Sequence, residues 1–158
     1  MKRNVVLLIV LIQACLLLPA MVLAEEEATR EEIVEMCKKA ETLLLTNKEA
    51  GIAELIKADG QFSWKDTYVF LMDFDGNMLA HSAIPQLMEK GPLLDLVDKN
   101  KENPKKIIVE FIDIAKTNGT GWMWYMWPKP NSREAVDKFT YIHRVGFTDM
   151  FVGAGIYK

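Results

Sequence analysis

Three strand-like segments joined by short connections form the last part of the chain, and they constrain the fold more than any other feature. Each segment is rich in aromatic or β-branched residues. They cover residues 120–127, 137–145 and 150–157. Strands linked this closely pair as antiparallel neighbours. An Asp75-Gly76 turn between residues 67–74 and 77–82 predicts a further hairpin, so the sequence indicates one antiparallel sheet of five strands.

Amphipathic segments before and between these strands predict helices. Residues 25–45 and 48–57 place apolar side chains at helical spacing, and a third helix is expected to begin at Asn103-Pro104. The predicted order is α-α-β-β-α-β-β-β, which is typical of an α+β domain. A chain of 158 residues has room for one small domain. We expect the helices, including a long N-terminal one, to pack on one face of the sheet.

The first 24 residues have the pattern of an export signal. The basic pair Lys2-Arg3 precedes a long apolar run, and short side chains end that run at Val22-Leu23-Ala24. We expect cleavage after Ala24 and a periplasmic or secreted product that consists of residues 25–158. Two alternatives stay open: the apolar run is just long enough to be kept as a membrane anchor, and Cys15 stands in an imperfect lipoprotein signal.

Composition argues against several classes of function. The formal net charge is −3 and becomes more negative if Lys2-Arg3 are removed, which argues against a nucleic-acid-binding protein. The two histidines, His81 and His143, do not have metal-ligand spacing, so neither a metal site nor a cofactor is expected. Cys37 would be the one cysteine left after cleavage, so no internal disulfide is expected. The sequence contains no nucleophile elbow or phosphate-binding loop, and we do not expect an enzyme.

Residues 121–130 (GWMWYMWPKP) hold the densest group of aromatic side chains. Alternation along a strand groups Trp122 with Trp124 and Met126, and it groups Met123 with Tyr125 and Trp127. One face must meet the helices, which leaves the other face to line a small-molecule pocket, because Tyr and Trp offer an apolar wall with a polar tip. The alternative is that both faces are simply core.

The next strand carries the cationic candidate for that pocket. Lys138 beside the Tyr141 hydroxyl would hold a carboxylate by one charge-assisted and one neutral hydrogen bond. Strict alternation puts these two residues on opposite faces, so their meeting requires a bulge or a reach by the long lysine stem. His81, at the end of the second hairpin strand, is a third candidate donor. Gly153 and Gly155 leave room for a neighbour or a ligand.

These residues occur in a series of motifs that resembles the single Cache domain, type 2. The series comprises Asp75-Gly76 with Ala80-His81, Gly121-Trp122, and residues 125–130 (YMWPKP), 138–141 (KFTY) and 148–157 (TDMFVGAGIY). The resemblance extends over nearly all of residues 25–158. It implies a PAS-like fold in which a long N-terminal helix lies behind a five-stranded antiparallel sheet, with a small-molecule pocket on the other face.

The resemblance also implies a sensory function. Such domains commonly bind acetate, propionate, pyruvate or lactate outside the cytoplasm, as parts of chemoreceptors and histidine kinases. On this sequence Tyr125 and Trp127 would wall the pocket and His81 would close one side. Lys138 and Tyr141 would hold the carboxylate.

The sequence ends one residue after the last predicted strand. We therefore expect a free-standing exported binding protein, or a subunit that presents its ligand to a separate membrane receptor. The alternative is an interaction protein with a vestigial pocket, which docks on a receptor or transport system or forms a homodimer through its long helix.

Overall fold

The computed structural model describes residues 26–158, so the predicted export signal, its cleavage point and Cys15 lie outside the described residues. Two helices, α1 (Arg30–Thr46) and α2 (Lys48–Leu55), come first. A reciprocal capping box starts α1: Glu32 N donates to the Thr29 side chain, and Thr29 N donates to the Glu32 carboxylate. None of the helices in this part of the chain has the length and apolar content that a membrane span requires.

The strands of residues 26–158 form one large sheet and one small one. They are β1 (Ser63–Trp64), β2 (Thr67–Tyr68), β3 (Phe70–Asp73), β4 (Met78–Ala80), β5 (Thr120–Pro128), β6 (Ala135–Arg144) and β7 (Met150–Tyr157). The five strands from β3 onward form an antiparallel sheet in the order β4-β3-β7-β6-β5, which confirms the predicted sheet. The predicted hairpin is β3–β4, and Gly76 in its turn has a φ of +88° that favours glycine. The separate β1–β2 hairpin was not predicted.

The helices lie on both faces of the sheet, and the expectation that they share one face is wrong. Helices α1 and α2 cover the face that includes Leu71 and Val152. The third helix, α3 (Ile107–Thr117), covers the opposite face, which includes Ile142. The physical reason is that the side chains of β7 are buried on both sides of the sheet, so both faces need a helical cover.

Candidate functional site

Strands β5 and β6 present most of the predicted site residues to the α3 face. Their register is continuous, with Tyr125 opposite Lys138 and Trp122 opposite Tyr141. Strict alternation therefore holds along both strands, as expected from the sequence. Tyr125 and Trp127 are buried in the core cluster that includes α3, and Lys138 lies on the same face as Tyr125.

Lys138 is the most unusual side chain of the site, because it has 0% exposed surface. Its Nζ donates to Tyr68 Oη at 3.3 Å. The same nitrogen lies 4.3 Å from the ring centroid of Tyr68 and 4.6 Å from that of Tyr157, which are cation–π contacts. Within residues 26–158 no carboxylate forms an ion pair with it. The site therefore holds a buried amine among aromatic rings, without a counter-charge.

The packing of β7 makes room for this amine. A Cβ at Gly155 would lie 2.8 Å from Lys138 Cε and even closer to Thr140 Oγ1. No larger residue fits there unless these neighbours move. The expectation that glycines in the last strand leave space for a neighbour is thus met at Gly155, whose neighbours are Thr140 and Lys138.

Burial lowers the pKa of Lys138 to about 7, and the negative charge of Asp66 opposes this change. Asp66 is itself engaged elsewhere, because it accepts from Ala28 N at 3.1 Å and lies 3.4 Å from Lys129 Nζ. At neutral pH the amine of Lys138 is therefore close to the midpoint of its titration. An anion placed beside Nζ would favour the charged form.

His81 lies beside Tyr68, with 4.6 Å between their ring centroids. Its Nδ1 accepts a hydrogen bond from Ile84 N at 3.0 Å, which leaves the proton of the neutral ring on Nε2. Burial, together with the charge of Lys138, lowers the pKa of His81 to about 3. The imidazole is therefore neutral at physiological pH and is a hydrogen-bond donor without charge.

Two phenols that sequence reasoning missed surround Lys138, namely Tyr68 of β2 and Tyr157 of β7. Burial raises the pKa of Tyr68 to about 12, so its hydroxyl is neutral. Tyr157 Oη is buried and has no hydrogen-bond partner within the described part of the chain, although it lies near the Tyr68 hydroxyl. The sequence contained one signal for Tyr157, because its position two residues after Gly155 in β7 places both residues on the same face of the sheet. In the structure Tyr157 pairs directly with Lys138 of β6.

Tyr141 lies on the opposite face of β6, and the structure does not bring it to Lys138. Its hydroxyl lies 3.3 Å from His143 Nδ1, and His143 Nε2 lies 2.7 Å from a carboxylate oxygen of Glu41 in α1. The predicted pair depended on a bulge or on a reach by the lysine stem. Neither occurs, because β6 pairs without a bulge and the paired sheet separates the two side chains. Tyr141 belongs to the α1 interface, and Tyr68 takes its place beside the amine.

A small inner hollow lies beside Tyr68 and His81, and Lys138 is not among the residues that line it. The inner hollow has a volume of about 20 Å³, which holds about one water molecule. It is lined by Tyr68, Phe70, Met78, His81, Leu87, Leu96, Ile107, Ile108, Phe111, Tyr125 and Trp127. Tyr68 also lines two outer hollows, of about 250 and 310 Å³.

The chemistry of this arrangement suits a small anion with an apolar tail. Lys138 offers a cation, and the Tyr157 hydroxyl and the imidazole of His81 offer neutral donors. The remaining wall is apolar and includes Phe70 and Phe111. Among residues 26–158 no group of three or more His, Cys, Asp or Glu side chains is placed so that it could hold a metal ion.

Comparison with known proteins relates this chain to sensory domains. A family model described as a Cache domain matches residues 27–158. The sensor histidine kinase MctS of Rhizobium johnstonii is 35% identical over 94 residues, which is 59% of this chain and 19% of the kinase. The chain thus spans about one fifth of the length of this curated relative.

Solved structures share the fold over most of the chain. A methyl-accepting chemotaxis protein from Vibrio parahaemolyticus has a TM-score of 0.65 and 26% identity, over 80% of this chain and 86% of that one. A Cache chemosensory domain that recognises carboxylic acids has a TM-score of 0.62 and 21% identity, over 78% of this chain and 84% of that one. The second likeness is one of fold alone.

Proposed function

The chain belongs to the Cache domain family of sensory ligand-binding domains, and we propose that it binds a short organic carboxylate outside the cytoplasm. The observation that carries the proposal is Lys138, an amine with 0% exposed surface and no ion-pair partner within residues 26–158. A buried unpaired charge is costly, and a carboxylate at Nζ would supply the missing counter-charge. Acetate, propionate, pyruvate and lactate are the ligand class we propose.

The groups around Lys138 support a carboxylate rather than another anion. One carboxylate oxygen would accept from Nζ, and the other would accept from His81 Nε2 or from Tyr157 Oη, which has no partner among the described residues. Phe70 and Phe111 would meet a short alkyl tail. Recognition of carboxylic acids by a Cache domain of the same fold is consistent with this ligand class.

The proposal also includes a location and a partner for the domain. The predicted export signal supports a periplasmic or secreted location, and likeness to a chemotaxis receptor and a sensor kinase supports a membrane receptor as the partner. We do not propose catalysis, since His81 has a pKa of about 3 and is too weak a base at neutral pH.

The test is isothermal titration of the purified protein with the four acids. We expect at least one acid to bind the wild type. Lys138→Met removes the charge and keeps a flexible side chain, and it should weaken binding about ten- to a hundredfold, since a hydrogen bond to a charged group is worth about 1.5–3 kcal/mol. Lys101→Met, at an exposed loop position, is the matched control and should bind as the wild type does. Equal affinity of Lys138→Met and wild type, or no binding of any acid, would refute the proposal.

One observation favours a second candidate function, namely an interaction subunit of a membrane receptor or transport system with a vestigial pocket. The inner hollow of about 20 Å³ is too small for a molecule of acetate unless a wall moves. If this second function holds, the exported wild type and its Lys138→Met variant should cross-link to a membrane protein equally well, whatever carboxylate is present. Cross-linking that depends on the acid would instead support the first function.

A further inference from the structure

We propose that Tyr68 is the gate of the Lys138 site and an internal competitor for its ligand: the ring separates the inner hollow from the outer ones, and the hydroxyl holds Nζ until an anion displaces it. This inference rests on the proposed carboxylate binding and deepens it, because it names the wall that opens and the group that the ligand replaces.

Two of the elements around Lys138 and the inner hollow are held by regular structure. Lys138 lies in β6, which is paired along its length with β5 on one side and β7 on the other. Helix α3 lines the inner hollow through Ile107, Ile108 and Phe111. To move either element would break a sheet ladder or shift a whole helix, which are among the most costly openings in a domain.

The wall at Tyr68 is built differently. Its strand, β2, has two residues and pairs with β1 rather than with the large sheet. Thr67 Oγ1 donates a hydrogen bond to Gly155 O at 2.6 Å, and this bond connects β2 to β7. Tyr68 is 2% exposed, so its movement exposes core surface, but because few backbone bonds hold β2 that movement leaves the main ladder intact.

The facing side of the opening is the segment between β5 and β6. Pro130 and Asn131 line both outer hollows together with Tyr68. The hydrogen bonds of this segment include short-range ones, from Ser132 N to Lys129 O and from Glu134 N to the Ser132 hydroxyl. The passage from the outer hollows to Nζ therefore runs between Tyr68 and this segment.

The Tyr68 hydroxyl has a second effect, because it accepts the hydrogen bond that Nζ would donate to a carboxylate. An incoming anion has to replace this bond, so part of its binding energy is offset. Tyr68→Phe removes the competing hydroxyl and keeps the ring. We expect this variant to bind the carboxylate about three- to tenfold more tightly than the wild type, in line with the net strength of one hydrogen bond.

The gate itself is tested without a ligand, by reductive methylation of the wild-type protein with formaldehyde and dimethylamine–borane. The methylation of Lys138 is followed by peptide mass spectrometry. We expect slow reaction in the wild type and in Tyr68→Phe, and reaction roughly tenfold faster in Tyr68→Ala, which corresponds to about 1.4 kcal/mol in opening free energy. Tyr68→Leu retains more apolar packing than Ala and should also react faster than the wild type.

Leu96→Ala is the matched control, because Leu96 lines the inner hollow but neither outer one. It enlarges the hollow without opening the proposed passage, so its Lys138 should react as slowly as that of the wild type. Amide hydrogen exchange of β7 in each variant separates local opening from global unfolding. Equal methylation rates in wild type, Tyr68→Ala and Tyr68→Leu, or a rate in Leu96→Ala as high as in Tyr68→Ala, would overturn the gate.

Titration with acetate and hexanoate completes the experiment. Tyr68→Ala should bind hexanoate, which the wild type should exclude. Tighter acetate binding by Tyr68→Phe supports the competitor role, and weaker binding overturns it. If methylation follows the expected order but no variant binds any acid, the gate stands and the proposed carboxylate function fails.

Discussion

Lys138→Met is expected to stabilise the protein at pH 7, and this gain should be clearly smaller at pH 9. The amine has a pKa of about 7 in the folded protein, against about 10.4 in an unfolded chain, because burial disfavours its charge. Between these two values the unfolded state binds more protons than the folded state. The free energy of unfolding of the wild type should therefore rise as the pH increases through this window.

The magnitude follows from the two pKa values of Lys138. Burial of the amine costs roughly 4 kcal/mol at pH 7 and roughly 2 kcal/mol at pH 9. Met fills a similar volume but loses the hydrogen bond to Tyr68, which offsets about 1 kcal/mol. The variant should thus be about 3 kcal/mol more stable than the wild type at pH 7 and about 1 kcal/mol more stable at pH 9.

The assay is urea unfolding, followed by tryptophan fluorescence, of wild type and Lys138→Met at pH 7 and pH 9. Lys101→Met, which removes an exposed amine, should follow the wild type at both pH values. If the stabilities of wild type and Lys138→Met change in parallel between the two pH values, the amine is solvated and the reasoning from its burial is wrong.

Three further predictions address the same site and its surroundings. Binding of a carboxylate should be accompanied by uptake of about 0.9 proton at pH 8 and about 0.1 proton at pH 6, because the bound anion favours the protonated form of Lys138 and the amine is mostly neutral at pH 8. Equal calorimetric heats of binding in phosphate and Tris buffers at pH 8 would contradict this. Gly155→Ala should destabilise the protein by about 1–3 kcal/mol and weaken carboxylate binding, because its Cβ would lie 2.8 Å from Lys138 Cε; a wild-type urea midpoint would show that no such contact exists. Glu41→Gln should lower the melting temperature and leave carboxylate affinity unchanged, since Glu41 bonds to His143 on the opposite face; an altered affinity would show that the two faces are coupled.

Glu41 also carries a pH dependence of its own. Burial raises its pKa, but the hydrogen bonds from His143 and Gly146 N outweigh that effect and the net pKa is lowered. The stabilisation from this carboxylate is therefore present above the unfolded pKa of about 4.3 and is lost as the pH falls through the folded value. The acid sensitivity of Glu41→Gln should be correspondingly smaller in thermal melts below pH 5.

Much of the fold could be predicted because the relevant signals are local. Alternation along β6 correctly separated Lys138 from Tyr141, and the proposal that they meet failed where it departed from that alternation. The turn chemistry of Asp75-Gly76 located the β3–β4 hairpin. The motif series indicated a single Cache domain, type 2, and the family match over residues 27–158 confirms it.

The partner of Lys138 was not predictable in the same way. Residues 67–74 have the pattern of one strand, but Val69 separates β2 from β3. That break places Tyr68 beside Lys138, and it is supported by a contact between Thr67 and Gly155, which are 88 positions apart in the chain. A local pattern contains no information about such a contact.

The sequence by itself determined the five strands of the large sheet, the β3–β4 hairpin and the residues that share each face of β5 and β6, because side-chain alternation and turn geometry depend on neighbouring residues alone. Only the tertiary structure decided that α3 covers the face opposite α1, that Tyr68 and Tyr157 surround Lys138, and that the inner hollow is nearly filled. These features depend on how segments far apart in the sequence pack against one another. Because the interior is close-packed, the position of each segment depends on the positions of all the others.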